Sequence, residues 1–176
     1  GFDVFKFSRM LSSSNPTVIE WLNSDIEYYG KKSKVWVEYA KNQFKPISLY
    51  FHYKSMCKQN YLKYLKSGNE VTYKRYLYAM RGLVNAKWIV NNEGLPPIAF
   101  PEAIKEVKGM PVYALQRLSD IIKLKRMAKE KDVIQNIPQI DHEIENFLKD
   151  DSDAPKHKQL STTLDLDKEL RKVLLG

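Results

Sequence analysis

The sequence predicts a mainly α-helical protein that folds as an irregular multi-helix bundle. Apolar residues recur at helical spacing along most of the 176-residue chain. Proline and glycine stand between these stretches, at positions that begin and end helices. No alternating apolar and polar run is long enough to predict a strand. With 43% hydrophobic residues, a chain of this length can bury a sizeable core despite its net charge of +8.

The first half of the chain contains four predicted helices. Their approximate ranges are 3–13, 17–22, 32–44 and 47–66. Asn15 followed by Pro16 is a typical helix start, because asparagine caps free amide groups and proline suits the first turn. Pro46 opens the last of the four. Ser67-Gly68 predicts its end, since glycine favours the left-handed conformation that terminates helices.

The second half is predicted to be helical up to residue 149. The expected ranges are 71–91, 101–107, 112–131 and 140–149. Residues 150–163 are polar and contain Pro155, which predicts a flexible connector. Residues 164–176 have the apolar spacing of an amphipathic helix. We therefore predict a helical domain over 1–149, a connector and a C-terminal helix.

Composition excludes several classes of protein. A single cysteine, Cys57, excludes a disulfide framework and a thiolate zinc site, and favours a reducing, cytoplasmic setting. No apolar run approaches the roughly 20 residues that span a bilayer. The glycine patterns of dinucleotide-binding folds and P-loops are absent. The chain begins Gly1-Phe2-Asp3 without methionine, so we expect either a tag remnant or a piece of a larger protein.

Positive charge is concentrated in one part of the chain. Residues 31–87 contain 13 lysines and arginines against Glu38 and Glu70, a net charge of +11. Seven of the eleven tyrosines lie between residues 50 and 78. Cations attract phosphates and aromatic rings stack on bases, so this block suits a nucleotide or a nucleic acid. The alternative is a basic helix pair whose tyrosines pack in the core and keep their hydroxyls in water.

Two predicted helices carry the candidate binding residues. Helical spacing places Lys74, Tyr78, Arg81 and Asn85 on one face, beside an apolar stripe. Arginine can grip a phosphate with two hydrogen bonds, and lysine can neutralise it as a point charge. On the preceding helix, His52 and Asn60 belong to a similar polar stripe. For each stripe the alternative is an ordinary helix–helix seam with its polar groups satisfied.

An ordered series of short motifs resembles a known family. The series consists of Asp3-Val4-Phe5-Lys6-Phe7, Leu11, Asn15-Pro16-Thr17-Val18-Ile19-Glu20-Trp21-Leu22, His52-Tyr53, Asn60-Tyr61, Tyr64-Leu65, Lys74-Arg75-Tyr76-Leu77-Tyr78, Arg81, Trp88 and Pro96-Pro97. In order and spacing it is similar to predicted nucleotidyltransferases of the DNA polymerase beta superfamily, in the group associated with RNA repair. The resemblance covers residues 1–97 and is loose over 98–176.

The resemblance implies an α+β nucleotidyltransferase of which this chain is the helical part, with the catalytic sheet missing. The family's Gly-Ser turn and Asp-x-Asp pair are absent before residue 151, so no catalytic or metal-binding residue is carried over. The implied cofactor is Mg²⁺, held by ligands outside this chain, and the implied substrate is a nucleoside triphosphate. The implied partners are RNA or DNA and an upstream catalytic segment. Five residues belong to the matching motifs and have structural roles as the alternative: Lys6, Asn15, Glu20, Trp21 and Trp88.

Three functions are compatible with these observations. The first is the substrate-binding helical part of a nucleotidyltransferase, in which Lys74, Tyr78 and Arg81 hold phosphates. The second is a stand-alone nucleic-acid-binding module without catalysis. The third is a protein-interaction domain for an acidic partner. Of the three we favour the first.

Overall fold

The computed structural model describes residues 3–26, 33–68, 71–129 and 132–156, together with Leu166, Lys168 and Arg171. These residues form helices and connecting turns without any strand, which confirms the mainly α prediction. The helices are α1 Val4–Ser12, α2 Pro16–Asn23, α3 Lys34–Asn42, α4 Pro46–Asn60, α5 Tyr73–Asn91, α6 Phe100–Glu106, α7 Val112–Met127 and α8 Pro138–Lys149. A π-helical turn, Tyr61–Leu65, continues α4.

The chain divides into two compact units. The first comprises Gly1–Leu49 with Lys156–Gly176, and the second comprises Tyr50–Pro155. The boundaries predicted from sequence, at residues 149 and 163, stay predictions. Leu166, Lys168 and Arg171 are helical, and the rest of the predicted C-terminal helix lies outside the described residues.

Local capping chemistry fixes the helices of the first unit. The Asp3 carboxylate accepts a hydrogen bond from the Lys6 amide at 2.8 Å and so caps α1. The Asn15 side chain accepts from the amides of Thr17 and Val18, which confirms the predicted cap of α2. Leu11, Val18, Ile19, Tyr39 and Ala40 are buried in the core of this unit.

A strained turn joins α1 to α2. Ser14 is buried and adopts a positive φ of 56°, which is uncommon for a residue other than glycine. Its hydroxyl accepts a hydrogen bond from the Lys45 amide at 2.9 Å. This bond from a distant part of the chain helps to hold the turn in place.

In the second unit, α5 is the central helix. It packs against α6, α7, α8 and the π-helical turn. The fully buried side chains of this core include Met80, Leu118, Ile121, Ile140 and Ile144. Burial of each such aliphatic side chain stabilises the fold by about 1.5–3 kcal/mol.

Several helix boundaries differ from the predictions, and three of the differences have a local cause. Helix α5 begins at Tyr73 instead of 71, because the Thr72 hydroxyl caps it by accepting from the Arg75 amide at 3.3 Å. Helix α7 ends at Met127 instead of 131. There the Lys129 amide donates to the Asp132 carboxylate at 2.8 Å, and the Asp132 amide donates back to the Lys129 carbonyl. Helix α8 begins at Pro138, two residues early, because proline suits the first turn.

Residues 150–156, the described part of the predicted connector, are tied to the helices. The Lys54 ammonium contacts the Asp150 carbonyl and the Asp151 carboxylate, each at 2.6 Å. The Lys87 ammonium contacts the Asp153 carboxylate, also at 2.6 Å. Among the helices that the structure describes, none is both long and apolar enough to span a membrane.

Candidate nucleotide and phosphate site

A glycine sets the distance between the two helices that carry the candidate residues. A Cβ atom at Gly82 of α5 would lie 2.6 Å from the Tyr53 carbonyl oxygen and 2.7 Å from the Cys57 amide nitrogen of α4. Both are backbone atoms, so any larger residue would push the helices apart. This close approach brings the part of α5 between Arg81 and Asn85 directly against α4.

The four members of the α5 stripe, defined as Lys74, Tyr78, Arg81 and Asn85, differ in burial. Tyr78 is 45% exposed, Lys74 and Arg81 are half-buried, and Asn85 is only 2% exposed. The four residues therefore share one face of α5, as their spacing predicts, but their burial differs, which the spacing alone does not reveal.

Arg81 is the half-buried arginine of the stripe, and its lack of a described partner distinguishes it. Its guanidinium forms no hydrogen bond or ion pair with any residue that the structure describes. A half-buried arginine normally has a partner, because five N–H donors otherwise depend on the remaining solvent contact. The expected alternative, in which Arg81 caps a carbonyl in a helix seam, does not occur among the described residues.

Two buried polar atoms on the same helix lack partners. They are the side-chain oxygen of Asn85 and the indole N–H of Trp88. An unsatisfied buried group costs about 1–3 kcal/mol, so such atoms mark places where a ligand or an ordered water completes the bonding. Asn85 is thereby singled out as an acceptor at the inner end of the stripe.

The two α4 candidates have local roles. The Asn60 amide group donates to the Met56 carbonyl one turn earlier, at 2.9 Å, so its donor is used within its own helix. His52 is exposed, and its ring meets the Tyr53 ring edge to face at 5.5 Å. Binding by these two residues stays a prediction.

Most tyrosines of the basic block belong to the core. Tyr50, Tyr53, Tyr61 and Tyr76 are buried, which corresponds to the alternative interpretation of the block, and they cannot stack on a base. Two of their hydroxyls are bonded to carboxylates instead of water. Tyr61 donates to Glu145 at 2.8 Å, and Tyr76 donates to Asp141 at 2.9 Å.

These surroundings change the acidity of the phenols. Burial first, and then the accepting carboxylates, raise the pKa of Tyr61 and of Tyr76 above the usual value of 10.0. Both hydroxyls are therefore protonated donors at neutral pH. They fix α8 to the rest of the second unit.

One aromatic–cation pair was not predicted as a unit. The Arg75 guanidinium lies 3.4 Å from the centre of the half-buried Tyr64 ring, and the Lys63 ammonium lies 5.0 Å from it. Hydrogen bonding by Lys63 and the charges of Lys63 and Arg75 lower the pKa of the Tyr64 hydroxyl. The sequence shows cations interleaved with tyrosines in this region. Which arginine lies over which ring depends on how the helices pack, so the pair could not be chosen from the sequence.

The residues of the family-like motifs lie in both units. Lys6 is exposed at the start of α1, Asn15 caps α2, and Glu20 is half-buried on α2. Trp21 is 53% exposed, whereas Trp88 is buried on α5. Asn15 has a structural role as the cap of α2, and Trp88 has one as part of the core.

The residues that the structure describes do not form a magnesium site. Within the described ranges, no three carboxylate, histidine or cysteine side chains come close enough together to hold a metal ion. Two-metal phosphoryl transfer needs such a cluster. We therefore derive no catalytic step through Mg²⁺ from these residues.

Comparison with known proteins decides the family. The sequence profile of the RlaP family, described as the RNA repair pathway DNA polymerase beta family, matches residues 1–172. The chain belongs to this family. The match confirms the resemblance seen in residues 1–97 and extends it over nearly the whole sequence. The protein is accordingly a nucleotidyltransferase-like member of an RNA repair family.

A bacterial protein is similar along the whole chain. The uncharacterized protein YcgL of Bacillus subtilis (strain 168) is 29% identical over 178 residues, which cover 100% of this chain and 67% of YcgL. No solved structure gives a significant match.

Proposed function

We propose that this chain is the helical substrate-binding part of a nucleotidyltransferase-like protein and that the α5 stripe holds the phosphates of a nucleoside triphosphate or of RNA. The observation that carries the proposal is Arg81, a half-buried guanidinium without a described partner, on the face where Asn85 offers an unsatisfied oxygen. Arginine without a carboxylate partner is suited to bidentate phosphate binding.

Charge and exposure support the same site. The net charge of +11 over residues 31–87 attracts polyanions from solution. In the proposed complex Arg81 and Lys74 neutralise phosphate oxygens. The exposed Tyr78 offers a hydroxyl and a ring edge to the sugar or base.

Catalysis is assigned to another part of the protein in this proposal. An upstream segment supplies the carboxylates that hold Mg²⁺, and this chain supplies binding and orientation. The family supports the assignment, and the lack of an Asp-x-Asp pair before residue 151 agrees with it. A cytoplasmic setting, expected from the single cysteine, stays a prediction.

The test is a binding measurement on the purified chain. We expect ATP, GTP or a single-stranded RNA to bind, and the double variant Lys74→Met/Arg81→Gln to bind at least about tenfold more weakly, because each charge-assisted hydrogen bond contributes about 1.5–3 kcal/mol. The melting temperature should stay near that of the wild type. A large loss of stability would show instead that these residues hold a helix seam.

The same titrations separate the alternatives. RNA binding that falls steeply with salt, with no triphosphate binding and no nucleotide transfer by the complete gene product, would indicate a stand-alone nucleic-acid module. If neither ligand binds near physiological salt, the remaining alternative is a protein-interaction domain for an acidic partner.

A further inference from the structure

A cavity lies within the unit formed by Tyr50–Pro155. Its volume is about 270 Å³, slightly below the range of about 300–1,000 Å³ that is typical of sites for drug-sized ligands. Leu83, Met110 and Phe147 contribute apolar walls, and Glu143, Asp150 and Asp153 contribute carboxylates. None of these residues belongs to the α5 stripe.

Hydrogen bonds fix the loop on one side of this cavity. The Asn92 side chain donates to the Glu106 carbonyl and accepts from the Lys108 amide, each at 3.0 Å. Gly109, which also lines the cavity, follows with a positive φ of 76°. A Cβ atom there would lie 2.6 Å from the Asn91 amide nitrogen, so glycine is needed for this turn. The wall is therefore formed in advance of any ligand.

Ion pairs fix the opposite wall, residues 150–153. Lys54 binds the Asp150 carbonyl and the Asp151 carboxylate, and Lys87 binds the Asp153 carboxylate. The Lys54 side chain is buried, whereas the Asp151 side chain that it binds is 59% exposed, so the lysine end of this anchor is shielded from solvent and the carboxylate end is not.

The charge of the lining is negative. Its charged side chains are Lys87, Glu143, Asp150 and Asp153, a net charge of −2. Lys87 is paired with Asp153, and the charge of Lys54, which binds the Asp150 carbonyl, acts on the Asp150 carboxylate, whereas Glu143 has no ion-pair partner among the described residues. Glu143 accepts a hydrogen bond from the Tyr113 hydroxyl, and Asp150 accepts from the amide and the hydroxyl of Ser152. Both carboxylates keep unused acceptor sites.

Tyr50 is the independent sign of a ligand. The residue is 1% exposed and lines the cavity, yet its hydroxyl forms no hydrogen bond with the described part of the chain. A tyrosine that is buried normally finds a partner for its hydroxyl. Burial first, and then the charges of Asp151, Asp153 and Asp150, raise its pKa to about 12, so the phenol is neutral at physiological pH.

We propose that this cavity binds a small organic cation, an aliphatic amine whose ammonium group is held by Glu143 and Asp150. The Tyr50 hydroxyl accepts a hydrogen bond from the same ammonium group, and the alkyl part of the amine packs against Leu83, Met110 and Phe147. A metal ion fits less well, because no three ligand side chains converge within the described ranges. The negative lining repels anions, which separates this site from the phosphate site on α5.

The test uses the full chain and three probes: putrescine, butylamine and uncharged butanol. We expect the two amines to bind in calorimetry and butanol to show no heat. Glu143→Gln and Tyr50→Phe should each weaken amine binding by about tenfold, the size expected for one charge-assisted hydrogen bond. Glu102→Gln, which removes an exposed charge on α6 outside the cavity, is the matched control and should bind normally.

Each contrary result would overturn the proposal. No amine binding at millimolar concentration would show that the cavity does not recognise ammonium groups. Equal weakening by Glu102→Gln would indicate general surface attraction, and equal binding of butanol would show that charge is not recognised. The Tyr50→Phe variant keeps the test valid if Glu143→Gln is unstable, because the Tyr50 hydroxyl has no described protein partner to lose.

Discussion

The hydroxyl of Tyr76 donates a hydrogen bond to the Asp141 carboxylate at 2.9 Å, across 65 residues of sequence. The same hydroxyl accepts from the Ile137 amide at 2.8 Å. One buried phenol therefore fixes both the first turn of α8 and the loop before it to α5. A tyrosine from the basic block is thus used for structure instead of for binding.

We expect Tyr76→Phe to lower the free energy of unfolding by about 1–3 kcal/mol, because it leaves the buried Ile137 amide without an acceptor. Chemical denaturation checks this value. Tyr78→Phe, on the same helix but exposed, is the control and should stay within about 0.5 kcal/mol of the wild type. Equal effects of the two substitutions would contradict the assigned role of Tyr76.

The buried phenols also predict a loss of stability at alkaline pH. Tyr50, Tyr61 and Tyr76 have raised pKa values in the folded chain, whereas an unfolded tyrosine ionises near 10.0. The folded state therefore holds more protons above pH 10.0. Their contribution to stability is complete below that pH and is lost as the pH rises through the folded pKa values.

Between the unfolded and the folded pKa, a phenol is ionised in the unfolded chain and protonated in the folded one. In that range each buried tyrosine lowers the free energy of unfolding by about 1.4 kcal/mol per pH unit. Denaturation curves measured on both sides of pH 10.0 should show this decline. Tyr76→Phe should make this decline shallower by about 1.4 kcal/mol per pH unit, the contribution of one phenol. A free energy of unfolding that is flat through this range, or a slope that is unchanged in the variant, would be inconsistent with the raised pKa values.

Gly82 controls the packing of α5 on α4, so we expect Gly82→Ala to be destabilising. The new methyl group would meet backbone atoms of Tyr53 and Cys57 below 3 Å, and backbone cannot move aside as a side chain can. Overpacking of this kind costs about 1–3 kcal/mol or more. Thermal melting measures the loss, with Gln59→Ala on the exposed face of α4 as the control. A neutral Gly82→Ala would mean that the helices are not in close contact.

Local chemistry made much of the fold predictable. Asn15-Pro16 and Ser67-Gly68 act within one turn of the chain, and the structure confirms both, with the Asn15 bonds and a φ of 70° at Gly68. The π-helical turn Tyr61–Leu65 was not predicted, because nothing in its spacing separates it from α-helix. The early end of α7 depends on the Lys129–Asp132 turn, a polar contact that periodicity does not register.

The sequence predicts which candidate residues share a helix face, but not how buried each one is or what it contacts. Helical spacing alone places Tyr78, Arg81 and Asn85 together. Their burial depends on tertiary contacts of α5, and so does the missing partner of Arg81. Bonds such as Tyr61 to Glu145 join residues 84 positions apart, and the sequence offers no rule for choosing them. The amine cavity is likewise formed by segments far apart in sequence.

Binding of phosphate by Arg81 at a defined site is tested by the ATP affinity of Arg81→Gln. The comparison is with Arg126→Gln, which removes the same charge from an exposed position on α7. We predict that Arg81→Gln weakens binding by at least about tenfold and that Arg126→Gln has no measurable effect. Equal weakening by both variants would show that ATP responds only to the net charge of the protein, and would contradict a phosphate site on α5.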